Sequence, residues 1–203
     1  IGGSKGDYAQ SIAIDSTGEV VVTGFTNSSD FPMMKGYDST FNGGAQDCFV
    51  FRLDQTGENL VFSTYIGSTG NDFAKGIDLD LEGNVYVTGY TDSDEFPTVN
   101  AWDDSFNGGG RDCFAFKLSD NGSILFYSTY IGEYQSDIGY DIAVDYEGNA
   151  YITGSTWSEN FISRNGPMGY SGGGDAFVMA LNASGFGLLY AKLIGGSGYD
   201  TGK

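Results

Sequence analysis

Short runs rich in Val, Ile, Tyr, Phe and Thr alternate along the whole chain with clusters of Gly, Asn, Asp and Ser. β-branched and aromatic residues suit a pleated surface, and the polar clusters supply turns, so the pattern predicts strands and no helix. Within residues 66–130 it predicts strands over 73–80, 84–90, 112–118 and 125–130. The first pair is joined through Leu81, Glu82 and Gly83, and the second through residues 119–122, both tight hairpins with Gly where a positive φ is required. Residues 25–46, 90–111 and 155–174 break the pattern as polar and aromatic loops of about 20 residues, a length uncommon without a function. The runs 20–22 and 113–116 are apolar at successive positions, which predicts sheets covered on both faces.

The pattern repeats. Residues 1–65 and 66–130 align without a gap, with roughly 30 of 65 positions identical, and residues 131–193 follow after a two-residue deletion. Residues 194–203 begin a fourth unit. Four short antiparallel strands per unit, in tandem, predict an all-β fold, a β-propeller segment of three four-stranded blades of about 65 residues plus the start of a fourth. A parallel β-solenoid suits the hairpins less well. Three blades do not close a ring, since propellers use about four to eight. The start at Ile1 without Met and the end inside a unit therefore point to a piece of a larger propeller, or to copies that assemble.

Several motifs recur together. They are Gly67 to Asp72, Asp80 to Thr91 (Asp-x-x-Gly-Asn-Val-Tyr-Val-Thr-Gly-Tyr-Thr), Phe96-Pro97, and Asp175 to Val178 followed by Leu181 to Gly185. In these motifs the chain resembles the SBBP beta-propeller repeat group of bacterial and archaeal proteins, over essentially its whole length. The resemblance implies a multi-bladed propeller in exported or cell-surface proteins, with no shared catalytic residues. The third unit departs at Glu133-Tyr134-Gln135 and at Phe161-Ile162, where Pro is missing, so its loops are expected to have their own conformation.

Charge narrows the function. The chain carries 27 Asp and Glu against 9 Lys and Arg, a net charge of -18. Phosphate backbones and anionic membranes demand clustered bases, so neither nucleic acid nor a membrane surface is an expected partner. No run approaches the ~18 apolar residues of a spanning helix. The chain has no His, which removes Ser-His-Asp and Cys-His chemistry, and its recurring carboxylates form no unique pair. A non-catalytic module is therefore expected. Cys48 and Cys113 occupy one position in neighbouring units, so symmetry aims them the same way and a disulfide is not expected; they read as buried thiols.

Three sets of Asp recur: Asp7, Asp72, Asp137 and Asp200; Asp15, Asp80 and Asp145; and Asp47, Asp112 and Asp175. Their first reading is architectural, as acceptors for turn N–H groups or links between blades. The first set, in Gly- and Ser-rich loops, is the candidate for calcium, the one cofactor the sequence suggests. The stretch 78–83 imitates an EF-hand start but has Gly89 where the bidentate Glu belongs.

Among the long-loop aromatics, Phe31, Phe41, Phe96 and Phe106 recur and read as pins holding each loop to its blade. Tyr37, Trp102 and Trp157 vary between units and are the candidate contact residues, for a protein or a glycan at the cell surface. The expectation is an extracellular or cell-surface module for binding or scaffolding, with the long-loop face as its contact surface. The alternatives are a self-assembling building block of a surface layer or filament, and part of a carbohydrate-active or hydrolytic enzyme whose catalytic groups lie in other blades.

Overall fold

A computed structural model describes residues 1–162 and 169–203. Twelve strands form three antiparallel sheets of four. The first contains β1 (Asp7–Ile14), β2 (Val20–Thr26), β3 (Asp47–Leu53) and β4 (Leu60–Ile66). The second contains β5 (Asp72–Leu79), β6 (Val85–Thr91), β7 (Asp112–Leu118) and β8 (Leu125–Ile131). The third contains β9 (Asp137–Val144), β10 (Ala150–Thr156), β11 (Asp175–Leu181) and β12 (Leu188–Ile194). Each sheet runs in sequence order, the meander of a propeller blade, and the strands of the second unit fall within one residue of the sequence expectation. Residues 163–168, in the third long loop, lie outside the described residues.

The hairpins follow from turn chemistry. Asp80 Oδ1 accepts the N–H groups of Glu82 and Asn84 at 3.0 and 2.9 Å, while Gly83, at φ 81°, donates its N–H to the Asp80 carbonyl. A side chain there would be strained in the left-handed region. Asp15 and Asp145 make the same turn in their units, the acceptor role read for this set from sequence.

The core lies between sheets rather than within one. Val21, Cys48, Val50, Phe62 and Ile66 of the first blade pack with Ala74, Ile77, Val85, Phe114 and Phe116 of the second, and a second cluster joins the second blade to the third. Cys113 sits in that second cluster as Cys48 sits in the first, and both are free buried thiols. The innermost strand β5 neighbours both β1 and β9, and it also lies against β2 and β3. One hydrogen bond recurs at each junction: Asp72 donates its N–H to Gln46 O, Asp137 to Arg111 O, and Asp200 to Gly174 O, each at 2.8 Å. The start of the fourth unit is thus already seated on the third blade.

Both ends of the array expose blade surface. Ile12 is 62% exposed where its equivalents Ile77 and Ile142 are 6% and 4%, and Ile194 is 64% exposed where Ile66 and Ile131 are 1% and 0%. A neighbouring blade accounts for the difference in both cases.

The recurring loop aromatics pin the loops, as their regularity implies. Phe31, Phe96 and Phe161 are buried against Phe49, Phe114 and Phe177 at centroid separations of 4.6 to 4.7 Å. Tyr130 Oη accepts the Phe96 N–H and donates to Ser93 O, both at 2.8 Å, and Tyr65 does the same for Phe31 and Ser28. Phe161 keeps the ring contact although Pro is missing after it, but Leu193 stands where Tyr65 and Tyr130 do, and the Phe161 N–H donates to Ser158 O at 3.0 Å.

Candidate ligand-binding site on the inner rim

The β2–β3 and β4–β5 connections meet on one face, where Asn42 Nδ2 donates to Gly67 O at 3.3 Å. Near the axis on that side, each innermost strand carries a β-bulge. Pairing skips from Ala9 to Ser11 in β1, from Ala74 to Gly76 in β5, and from Gly139 to Asp141 in β9. The unpaired residues are Gln10, Lys75 and Tyr140, and a bulge re-aims the side chain of its extra residue. These three, with Asp141 and Lys203, line a cleft of about 430 Å³. Lys203 stands at the corresponding position of the fourth unit.

A ribbon of rings runs beside this cleft. Tyr8 stacks on Phe25 at 4.9 Å, Phe25 meets Phe73 edge-on at 4.8 Å, and Phe73 stacks on Tyr90 at 4.7 Å. Lys75 Nζ lies 5.6 to 6.0 Å from the centroids of Phe25, Phe73 and Tyr90 and donates to Gln10 Oε1 at 3.1 Å. Arg111 places its guanidinium 4.9 Å from the centroid of the same Tyr90 ring. Burial among the rings, with Arg111 nearby, pulls the Lys75 ammonium below the ordinary lysine range. A second hollow of about 380 Å³ adjoins Arg111, lined also by Gln135, Ser136 and Trp157, and Trp157 stacks on Tyr199 at 5.2 Å.

The three predicted contact residues are not brought together. Tyr37 is 41% exposed on the first blade, Trp102 packs against the core between the second and third blades, and Trp157 alone joins the inner rim. Sequence reasoning missed Lys75, Tyr90 and Arg111. The signal was available, because Lys75 replaces Gln10 and Tyr140, and Arg111 replaces Gln46 and Gly174, at otherwise repeated positions.

The four calcium candidates stand one to a unit. Asp7, Asp72, Asp137 and Asp200 each accept a backbone N–H, from Gly3, Ser68, Glu133 and Gly196, at 2.8 to 2.9 Å. Asp72 and Asp137 also take the Ser93 and Ser158 hydroxyls. These carboxylates close their loops, and among the described residues no three Asp, Glu, His or Cys side chains gather as a metal-holding group.

A cleft of about 520 Å³ lies among the tight hairpins of the first two blades, away from the long loops. Its centre is Arg52, which bonds Asp15 Oδ2 at 3.1 Å and donates to Gly83 O at 2.6 Å, so its basic group is already engaged in joining two blades.

A beta-propeller repeat model, SBBP, matches residues 61–97 and 127–162, each spanning the end of one blade and the inner half of the next. The chain carries SBBP beta-propeller repeats. No curated protein matches it. The matched segments contain β5 with Lys75, β6 with Tyr90, and Trp157, so much of the inner rim is built on the SBBP repeat itself.

Proposed function

We propose that this SBBP propeller segment is a non-catalytic binding module of an extracellular or cell-surface protein, contacting its ligand at the inner rim of the long-loop side. The observation that carries this reading is the bulge in each innermost strand. It turns a different side chain, Gln10, Lys75 or Tyr140, toward one cleft on a framework that is otherwise repeated. Function commonly resides where a rigid repeat is varied at its loops and edges. Partly exposed aromatic rings beside polar groups suit recognition of sugar rings or protein side chains.

The test is binding of the purified chain to a panel of purified polysaccharides and cell-surface proteins, with Trp157→Ala as the inner-rim variant and Leu81→Ser as the control among the hairpins. Binding weakened by the first variant alone is the expected result. Equal loss in both, or no ligand in the panel, would count against the reading.

A second reading, self-association through blade faces, is favoured by the exposure of Ile12 and Ile194. It predicts concentration-dependent sedimentation that Ile12→Ser suppresses.

A further inference from the structure

We propose that the cleft at Lys75 and the hollow at Arg111, on either side of the Tyr90 ring, bind an acidic polysaccharide, with uronate carboxylates held at Lys75 and at Arg111 and sugar rings laid against the neighbouring aromatics. This rests on the binding reading above and specifies the ligand class.

The first argument is electrostatic. The chain carries 27 acids and 9 bases, and among the described residues Lys5, Lys35 and Lys192 also lack an ion pair, so it is the placing of two cations beside one ring, and not the lack of a partner, that marks this site. Arg52 and Lys117 are paired, with Asp15 and Asp80. Among the described residues Lys75, Arg111 and Lys203 make no ion pair, and no acceptor lies within hydrogen-bond reach of the Arg111 guanidinium. Lys75 and Arg111 nevertheless both lie against the Tyr90 ring. Asp141, the carboxylate on the cleft wall, stands beyond ion-pair distance of both lysines. Asp92, the acid beside that ring, is bonded to Asn71 and pairs with neither cation, so two like charges near one ring keep donors free for an anion, and a guanidinium with unused donors favours the planar carboxylate.

The second argument is shape. Tyr8 is 51% exposed and Tyr199 is 53% exposed, and Trp157 lines the hollow beside Arg111. Ring faces next to a cation match a pyranose that offers C–H groups on its face and a carboxylate at its edge. An acidic peptide fits less well. The cleft is bordered by the free edges of β1, β5 and β9, but each edge is interrupted by its bulge, which removes the continuous ladder that an added strand needs.

The experiment compares polygalacturonate with its fully methyl-esterified form, which has the same backbone without the charge, using the purified chain and its Arg111→Gln variant. Arg111 is exposed and its side chain makes no ion pair among the described residues, and an unchanged melting temperature confirms that the variant is folded. The expected result is binding of polygalacturonate that weakens about tenfold in the variant and in raised salt, with little binding of the ester. Equal binding of both polymers, unaffected by Arg111→Gln, overturns the acidic ligand and leaves the binding module standing. Absence of binding to either polymer also overturns it, and the wider panel then decides the module reading separately. Capture of an acidic peptide but not polygalacturonate moves the site to a protein partner and likewise overturns the proposal.

Discussion

Asp112 and Asp137 face each other across the junction of the second and third blades. Asp112 Oδ1 and Asp137 Oδ2 both lie about 3 Å from the place where a side chain on Gly132 would begin. Both residues are fully buried, and Asp112 Oδ1 has no hydrogen-bond partner. Burial pushes each carboxyl up to about 7, reinforced at Asp112 by repulsion from Asp137 and at Asp137 by repulsion from Glu133. Asp47 and Asp72 repeat the pair at the first junction, raised to about 7 and about 6. The folded protein therefore binds protons that the unfolded chain has released. Stability from these groups is fully present below the ordinary carboxylate range, near pH 4, and is lost as pH rises through about 7. Asp54, held down to about 2 by Asn59 and Thr56, acts in the opposite direction at lower pH. Thermal melting should show greater stability at pH 5 than at pH 8. Asp112→Asn, which can donate to Asp137, should raise the melting temperature at pH 8 and change it little at pH 5.

Gly132 itself is constrained by this pair. An added Cβ would meet Asp137 Oδ2 at 2.9 Å and Asp112 Cγ at 3.1 Å, and Gly67 is confined in the same way by Asp72 and Asp47. Gly132→Ala should destabilise by about 1–3 kcal/mol through overpacking. Denaturant titration would show this as a lower midpoint, and an unchanged midpoint would mean that the two carboxylates can separate freely.

Arg52 should be the most costly charge to remove. It joins Asp15 and Glu19 of its own blade to the Gly83 carbonyl of the next, and lies 5.9 Å from the Phe62 centroid. Arg52→Ala leaves a nearly buried carboxylate and a carbonyl unpaired, and a loss of about 3 kcal/mol is expected. Hydrogen exchange should report the loss first at the 80–84 hairpin.

Phe96 carries its long loop. Phe96→Ala removes a ring stacked on Phe114 and touching Tyr130, at an expected cost of about 3–5 kcal/mol. Tyr37→Ala, on an exposed ring, should change stability little. Equal effects in the two variants would contradict the pinning role.

The features legible in the sequence are those that every unit must satisfy. The strands, the hairpin turns around Asp80 and Gly83, the pins Phe31 and Phe96, and the loop-closing Asp72 recur because each blade needs the same local chemistry. The inner rim was hidden for the converse reason. Lys75 sits inside a strand whose alternation looks ordinary, and only the bulge reveals that its side chain leaves the sheet. Tyr90 and Arg111 lie far apart in sequence and meet through a register that hydrophobic periodicity does not encode. Trp102, which variation between units marks as a contact residue, is partly buried, and its packing against the next junction is a long-range contact that the repeat pattern does not encode.

The recurring bond from Asp72 to Gln46, from Asp137 to Arg111 and from Asp200 to Gly174 uses backbone atoms alone. That bond does not depend on which side chains flank it, and the buried side chains that complete each junction recur with the repeat. Duplicating a gene segment of one full repeat would therefore insert a blade whose leading and trailing edges already fit their neighbours. The array can lengthen or shorten by whole units while individual units drift in ligand preference, and selection on binding is largely separated from selection on folding.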